Sequence, residues 1–242
     1  LMNSIEGRRG EARFRPPFPT SEGLWGCPTI INNVETLMNL PTILARGPEW
    51  FAGLGTAESK GTKVFSVSGD VARPGVYELV MGSRLEELVV DLCGSGEIKM
   101  VQVGGAGGSI VPAEMIDTPL SFETVLGSGG VTVFDRSRCV IDIVHRSLEF
   151  FADESCGKCT PCREGTEAMV EILGRLGRGD GVERDLDSLE DLSEVMMLSS
   201  LCGLGQGAAV PVQDSLRHFR QEYEDRIEKS IFLRARPGGG VS

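Results

Sequence analysis

Four of the seven cysteines are spaced in a way that a packed core does not require. Cys156, Cys159 and Cys162 follow one another with two residues between neighbours, and Cys202 stands alone much further along the chain. Three close thiols and one distant thiol can bind a single centre when a loop surrounds that centre and the fold returns the fourth thiol. The spacing therefore requires a fold in which the chain after Cys162 turns back on itself.

Three kinds of site compete for these thiols. A [4Fe-4S] cluster is held by four Cys thiolates, and the division into three and one is typical of it. Structural zinc usually has two separated Cys-x-x-Cys pairs or histidines, and the two histidines here, His145 and His218, lie away from the run. Disulfides fit less well, because seven is an odd number and no export signal precedes the cysteines. The spacing favours the cluster, with zinc and disulfides left open.

The other three cysteines show no ligand spacing. Cys27, Cys93 and Cys139 stand among apolar neighbours, without a second cysteine at a ligand distance along the chain. Free cysteine commonly behaves as a small buried hydrophobe. We therefore expect all three side chains to be buried in the core.

Composition excludes some classes of function. The chain has 242 residues, of which 40% are hydrophobic, so it can form one large or two small domains with ordinary cores. Its formal net charge of −11 argues against nucleic-acid binding, because such proteins concentrate Lys and Arg along the phosphates. No run of about 18 apolar residues occurs, and we expect no membrane span.

The pattern from Lys63 onwards is typical of strands. β-branched runs, a Pro-Gly turn and one apolar helical stripe predict the elements. These are a strand at 64–69, a turn and strand at 73–79, a helix at 85–92, and strands at 99–103 and 131–134. A strand, a hairpin, a helix and a further strand in this order predict a β-grasp module.

The second half of the chain is predicted to be helical. Apolar positions at helical spacing run over 141–151, 169–176, 189–196 and 212–227, and Pro211 suits the first turn of the last helix. The third helix would return the chain so that Cys202, in a Gly-rich turn, reaches the other thiols. The acidic segment 183–194 is expected to be a solvated face. The predicted fold class is α+β, a β-grasp module followed by a four-helix bundle that carries the cysteines.

Segments outside these modules have simpler patterns. Residues 8–25 are rich in Arg, Gly and Pro, which predicts an ordered strap lying over another part of the molecule. Asn32 precedes Glu35 by three residues, which predicts a helix cap and a short helix ending by Pro41. The run 104–108 does not match a dinucleotide-binding fingerprint and predicts a tight turn. Residues 235–242 are Gly-rich and are expected to be disordered.

Several blocks, occurring in order between residues 1 and 227, resemble one family. They are Glu6-Gly7 with Pro16-Pro17-Phe18-Pro19, Gly26-Cys27-Pro28-Thr29, Asn32-Asn33-Val34-Glu35-Thr36, the predicted β-grasp and the four-cysteine set. Together they resemble the flavin-carrying NADH dehydrogenase subunit of respiratory complex I and its relatives in NAD-linked hydrogenases and formate dehydrogenases. That family passes a hydride from NADH to FMN and single electrons onward to a [4Fe-4S] cluster. The resemblance therefore implies FMN, NAD(H) and a [4Fe-4S] cluster as cofactors.

The resemblance also implies site residues. The cluster ligands would be Cys156, Cys159, Cys162 and Cys202. Asn32, Asn33 and Thr36 match the family block that lines the flavin. Amide and hydroxyl groups there suit the phosphate and ribityl chain of FMN. Helix capping explains the same residues without a ligand. Lys158 and Arg163 would offset the negative charge of the thiolate loop and favour the reduced state.

The implied organisation has four parts. Residues 1–60 would be a remnant of the FMN- and NADH-binding domain, 61–136 a β-grasp domain of the SLBB (soluble-ligand-binding) kind, 137–232 the helical [4Fe-4S]-binding domain, and 233–242 a flexible tail. Family members carry a preceding domain with a Gly-rich flavin loop and a paired-glutamate segment. We therefore expect this chain alone to be inactive as an NADH dehydrogenase.

The resemblance implies partners and a location as well. The partners would be other subunits of a multi-subunit redox complex, including a [2Fe-2S] thioredoxin-like subunit and an iron–sulfur large subunit. The location would be cytoplasmic, at the membrane periphery through the larger complex. Two alternatives stay open: a non-catalytic iron–sulfur relay or interaction module, and a structural zinc-binding scaffold.

Overall fold

The computed structural model describes residues 1–234, so the predicted flexible tail at 235–242 lies outside the described residues. Its elements form one five-stranded sheet and a set of helices, in agreement with the predicted α+β class. The strands are β1 (Thr62–Gly69), β2 (Gly75–Val80), β3 (Ile98–Val103), β4 (Ser109–Pro112) and β5 (Gly130–Asp135). The helices are α1 (Met2–Ile5), α2 (Val34–Arg46), α3 (Pro48–Ala52), α4 (Val140–Glu154), α5 (Thr160–Arg178), α6 (Glu183–Ser199), α7 (Gly203–Ala208) and α8 (Val210–Arg234).

The sheet has the strand order β2-β1-β5-β3-β4. The pair β1 and β5 is parallel, and the other three pairs are antiparallel. β1 buries alternate side chains, Phe65 and Val67, because successive residues of a strand point to opposite faces. The connection after β2 was predicted as an ordinary helix but contains a π-helical turn over Glu87–Leu92, in which the Cys93 N–H donates to the Leu88 carbonyl at 3.1 Å.

Strand β4 was missed by the sequence prediction. It follows the Gly-rich run 104–108, which forms the expected tight turn between antiparallel strands β3 and β4. Gly104 has φ +114, and a Cβ on Gly108 would lie 2.2 Å from the Val103 carbonyl oxygen, so the turn has no room for side chains. The strand is only four residues long and ends in Pro112, which explains why its pattern was weak.

Two buried apolar clusters stabilise the fold. One lies under the sheet and includes Phe65, Leu88 and Val133. The other fills the space between helices α4, α5, α6 and α8, and it also takes Met100 and Ile110 from the sheet. The Ile110 N–H donates to the Asp214 carboxylate of α8 at 3.1 Å, so a polar contact joins sheet and helices beside the shared apolar packing.

The cap and the end of α2 differ from prediction. Asn33, rather than Asn32, caps the helix by accepting a hydrogen bond from the Glu35 N–H at 2.8 Å. The helix continues through Pro41 to Arg46 instead of ending at the proline. Pro41 removes the donor for the carbonyl four residues earlier, but α2 buries no residue, so water can satisfy that carbonyl.

The burial of two cysteines was predicted wrongly. Cys93 is fully buried, as expected, whereas Cys139 is only partly buried and Cys27 is exposed. Cys27 follows the short helical turn Leu24–Gly26 in a surface segment that belongs to neither apolar cluster. Apolar neighbours in sequence are therefore a poor guide to burial where the segment itself lies outside a core.

The acidic segment 183–194 also contains an exception to the expected solvated face. Asp185 is buried, accepts from the Val182 N–H at 3.0 Å and pairs with the Arg175 guanidinium at 2.6 Å. A carboxylate in the first turn of α6 satisfies an otherwise unpaired N–H there and connects α6 to α5 through the arginine.

Among the described residues, no helix combines the length and the apolar character needed to cross a bilayer.

An ion pair at the end of the sheet predicts a pH effect on stability. Arg138 and the Asp135 N–H hydrogen-bond to Asp70, and the Arg138 contact is the largest cause that lowers the pKa of Asp70 to about 2. A carboxylate with a lowered folded pKa stabilises the fold above its unfolded pKa, near 3.8, and that contribution is lost as pH falls toward the folded value. Wild-type protein should therefore lose free energy of unfolding below about pH 4 more steeply than Asp70→Asn.

Urea titrations at a series of pH values measure this difference. Glu97→Gln is the matched control, because the Glu97 side chain is 84% exposed and lies 3.8 Å from Arg136. Its acid profile should follow that of the wild type. Parallel profiles for wild type and Asp70→Asn would contradict the prediction.

Candidate metal centre

The loop between α4 and α5, together with the first turn of α5, carries three of the four predicted ligands. Cys156 lies in the loop, Cys159 is the residue that precedes the first turn of α5, and Cys162 lies within that turn. Cys162 is buried, and Cys156 and Cys159 are partly buried. The positive end of the α5 dipole lies at this turn, where a helix N-terminus favours bound negative charge.

The fourth predicted ligand begins a helix rather than lying in a turn. Cys202 immediately precedes α7, so the expected Gly-rich turn is in fact a short helix. Gly205 of α7 packs directly against α5, since a Cβ placed on it would lie 2.9 Å from the Cys162 Cβ. The absence of a side chain at 205 therefore allows α7, with Cys202 at its start, to approach Cys162 closely.

The electrostatics of Cys162 place it near the other three thiols. Burial is the largest cause that raises the pKa of the Cys162 thiol; the hydrogen bond with Ser155 opposes it, and Cys159, Cys202 and Cys156 each raise the pKa further. The three other thiols therefore lie close enough to repel a thiolate at Cys162. Positive charge bound beside the thiols, such as that of iron, would offset this repulsion.

A single ion and a four-iron cluster need different arrangements of these thiols. In a cluster each thiolate binds a different iron at a different corner, whereas all ligands of one zinc ion meet at about 2.3 Å from one point. Among the described residues, no group of three or more His, Cys, Asp or Glu side chains is arranged for one metal ion. All four thiols are free of disulfides, so each remains available as a ligand.

The N-terminal strap lies against the cysteine loop. The Arg9 guanidinium donates to the Cys156 carbonyl at 2.7 Å, and the Lys158 ammonium donates to the Ala12 carbonyl at 2.7 Å and pairs with Glu11 at 3.1 Å. Lys158 also lies over the Phe14 ring at 4.7 Å. The sequence predicted a strap but did not predict that it lies on the cysteine loop. The density of arginines in residues 8–15 was the sequence signal that could have indicated this contact.

The two cations inside the loop are both engaged by protein groups. Lys158 is held by the strap, and Arg163 donates to the Gly157 carbonyl at 2.7 Å and pairs with Glu164 at 2.8 Å. Gly157 has φ +73, a conformation that glycine adopts easily, so the arginine contact fixes a sharp bend between Cys156 and Cys159. Arg163 therefore shapes the loop as well as contributing positive charge.

An open cleft of about 960 Å³ separates part of the strap from α7. Its walls include Arg13 and Arg15 of the strap, Lys158 of the loop, and Cys202 with Gln206. The centre is thus approached from solvent on the side of Cys202.

The predicted flavin residues lie apart from the cysteine loop in sequence, at the start of α2. Asn32, Asn33 and Thr36 are exposed, and Asn33 serves as the cap of the helix. Glu35 accepts from the Val64 N–H at 2.6 Å and pairs with Lys63 at 2.8 Å, which fixes this turn against β1. Their assignment to a flavin stays a prediction.

Residues 142–226 match the family model described as "NADH-ubiquinone oxidoreductase-F iron-sulfur binding region". The chain is 44% identical over 238 residues to the F subunit of the NADH-quinone oxidoreductase of Mycobacterium bovis, covering 94% of this chain and 53% of the relative. It is 42% identical over 238 residues to the HndC subunit of the NADP-reducing hydrogenase of Solidesulfovibrio fructosivorans, covering 94% of this chain and 49% of the relative. The chain thus spans about half the length of the curated relatives it matches.

A solved structure shows the same fold. The crystal structure of an NAD+-reducing [NiFe]-hydrogenase in the H2-reduced state matches all of this chain and 46% of its own, with a TM-score of 0.90 and 38% identity. Sequence and structure agree on the resemblance predicted from the sequence blocks, and the chain belongs to the family of NADH-quinone oxidoreductase F subunits and related hydrogenase subunits.

Proposed function

We propose that this chain is the electron-transfer part of an NADH:acceptor oxidoreductase subunit, which passes single electrons between FMN and a [4Fe-4S] cluster. The observation that supports the proposal is that Cys156, Cys159 and Cys202 all lie near enough to the buried Cys162 to raise its pKa, within the region matched by the iron–sulfur family model. The chain corresponds to about half of each relative, so the proposal assigns it electron transfer and not NADH oxidation by itself.

The residues of the chain would hold and insulate the centre. A bound [4Fe-4S] cluster supplies a one-electron acceptor, which lets the two electrons of a reduced flavin leave one at a time. Cys156, Cys159, Cys162 and Cys202 would each bind one corner as thiolates. The α5 N-terminus and the nearby Lys158 and Arg163 would offset their charge, while burial of Cys162 limits water on one side.

We also propose the finer description of the fold. One parallel pair, β1 and β5, flanked by antiparallel strands in the order β2-β1-β5-β3-β4, supports a β-grasp module of the SLBB kind at 61–136. Helices α4, α5, α6 and α8, packed around one apolar cluster, support a four-helix bundle at 137–232. Residues 1–60 would then belong with the flavin domain, to which the exposed face of α2 is available.

The proposal places FMN beside Asn32, Asn33 and Thr36. Their amide and hydroxyl groups are exposed at the first turn of α2, where a helix N-terminus favours phosphate.

NADH would reduce the flavin, and the other subunits of the complex would take the electrons. These subunits would include a [2Fe-2S] thioredoxin-like subunit and an iron–sulfur large subunit. A cytoplasmic location follows from this proposal.

A hydrogenase-linked subunit is the second candidate. Both a curated hydrogenase subunit and a solved hydrogenase match the chain at identities close to those of the NADH-quinone oxidoreductase subunits. The same electron-transfer chemistry serves either complex. Identification of the chains that copurify with this one distinguishes the two.

Anaerobic reconstitution tests the proposal. The full chain, incubated with iron and sulfide under strict exclusion of oxygen, should take up about four irons per chain, since each thiolate binds one corner. After reduction with dithionite it should give the electron paramagnetic resonance signal of a reduced [4Fe-4S] cluster. Retention of zinc in place of iron, with no signal after reduction, would overturn the proposal.

A further inference from the structure

We infer that Ser200 is a positioning residue of the metal centre. Its hydroxyl donates a hydrogen bond to a sulfur of the centre and thereby raises the reduction potential of the centre. The inference rests on the proposed [4Fe-4S] function of the four cysteines. It concerns a residue that the spacing of the cysteines does not identify.

The Ser200 hydroxyl is a buried donor without a protein acceptor. The residue is 6% exposed, and its Oγ is the only buried side-chain nitrogen or oxygen in the described part of the chain that has no hydrogen-bond partner. Buried polar groups are nearly always hydrogen-bonded, because leaving one unsatisfied costs free energy. A missing partner at this position therefore indicates an acceptor that is not part of the protein.

The hydroxyl lies on the side of α7 that faces Cys162. A Cβ placed on Gly205 would lie 2.4 Å from the Ser200 Oγ and 2.9 Å from the Cys162 Cβ. The Ser200 Oγ and the Cys162 Cβ thus both adjoin the space that a side chain at residue 205 would occupy. Ser200 also stands two residues before Cys202, so it adjoins two of the predicted ligands.

The surrounding backbone fixes this orientation. The Ser200 N–H donates to the Met196 carbonyl at 3.1 Å, and the Gln206 side chain donates to the Ser200 carbonyl at 3.0 Å. Ser200 has φ −71 and ψ 142, so the chain leaves α6 at this residue. Its hydroxyl has no helical carbonyl to bond, although both groups of its own backbone are satisfied.

Other buried hydroxyls in the same helices behave differently. Ser193 donates to the Leu189 carbonyl at 2.6 Å, Ser215 to the Val212 carbonyl at 2.8 Å, and Thr166 to the Cys162 carbonyl at 2.8 Å. Each uses a carbonyl three or four residues earlier, as helical Ser and Thr commonly do. Ser200 is the exception, and it is the one that adjoins both α5 and the start of α7.

The chemical effect follows from charge. Reduction adds one electron to the centre and makes its sulfurs stronger hydrogen-bond acceptors, so a donor stabilises the reduced state more than the oxidised state. Loss of the donor therefore shifts the reduction potential to a more negative value. Neither the number of bound irons nor the identity of the ligands should change.

Ser200→Ala in the full reconstituted chain tests the inference, with Ser199→Ala as the matched control. Ser199 is the adjacent serine, is exposed, and donates to the Val195 carbonyl. Redox titration followed by electron paramagnetic resonance should give a more negative midpoint potential for Ser200→Ala and an unchanged one for Ser199→Ala. Electron–nuclear double resonance should show an exchangeable proton coupled to the reduced cluster that is lost only in Ser200→Ala.

Stability without iron supplies a second readout that does not require the cluster. Before reconstitution, Ser200→Ala should unfold at the same or a higher urea concentration than wild type, because the substitution removes an unsatisfied buried hydroxyl. A clear loss of stability there would mean that the hydroxyl has a protein partner, which contradicts the inference. Failure of the wild type to bind iron would overturn the proposed function and the inference together. Normal cluster assembly with an unchanged potential and proton coupling in Ser200→Ala would overturn the inference alone.

Discussion

Cys202→Ala is expected to abolish assembly of the four-iron centre while leaving the sheet folded. Cys202 is the only predicted ligand outside the segment 156–162, and it precedes α7 on a separate part of the chain. Three thiolates would leave one corner without a protein ligand. We expect the iron content after reconstitution to fall well below four per chain, together with loss of the wild-type resonance signal.

The sheet should survive this change for a structural reason. The cluster of apolar side chains under the sheet includes Leu85, Leu88 and Val101, and none of its members lies in α5 or α7. Circular dichroism of the variant should therefore retain the strand contribution. Cys27→Ala is the matched control, since Cys27 is an exposed free thiol with no predicted role at the centre. A Cys202→Ala protein with a full complement of four irons would show that the fourth ligand is another group.

The sequence predicted the regular elements of the core well, because the residues on the buried face of a strand or helix are apolar and recur at a regular spacing. Phe65 and Val67 alternate along β1, and Val144 and Leu148 repeat at helical spacing on α4, so each pattern records which face is buried. Helix α2 buries no residue and so has no such buried face, and Pro41, which usually ends a helix, lies inside it. Strand β4 was too short for a pattern to develop.

For the candidate centre too, the sequence predicts the features that are local in the chain and misses those that depend on contacts between distant segments. The positions of Cys156, Cys159 and Cys162 follow from spacing alone, because a short loop can bring them together without knowledge of the fold. The place of Cys202 at the start of α7 depends on contacts between distant segments, and Gly203-Leu204-Gly205 has low helix propensity, so a turn was the natural prediction. Asp185 was missed for a related reason, because its burial depends on Arg175 of another helix. Contacts of this kind leave no periodic trace in the sequence.

Gly205→Ala is expected to disturb the centre as strongly as loss of a ligand, although residue 205 carries no ligand atom. A Cβ there would lie 2.4 Å from the Ser200 Oγ, 2.7 Å from the Ser200 Cβ and 2.9 Å from the Cys162 Cβ. Two of these atoms are β-carbons, which cannot move without their backbone, so rotation of a side chain does not relieve the contact. Helix α7 must shift away from α5, and Cys202 at its start shifts with it.

Gly207→Ala separates this steric effect from the general effect of adding a methyl group to the helix. Gly207 lies in the same helix, and a Cβ there meets no atom within 4 Å. Both substitutions gain the same helix propensity, so the difference between them measures overpacking, which costs about 1–3 kcal/mol. We expect Gly205→Ala to be less stable than Gly207→Ala by that amount in urea unfolding without iron, and to lose most of its bound iron after reconstitution. Equal stability and equal iron content in the two variants would mean that α7 can move without displacing Cys202, and close packing at Gly205 would then have no part in forming the centre.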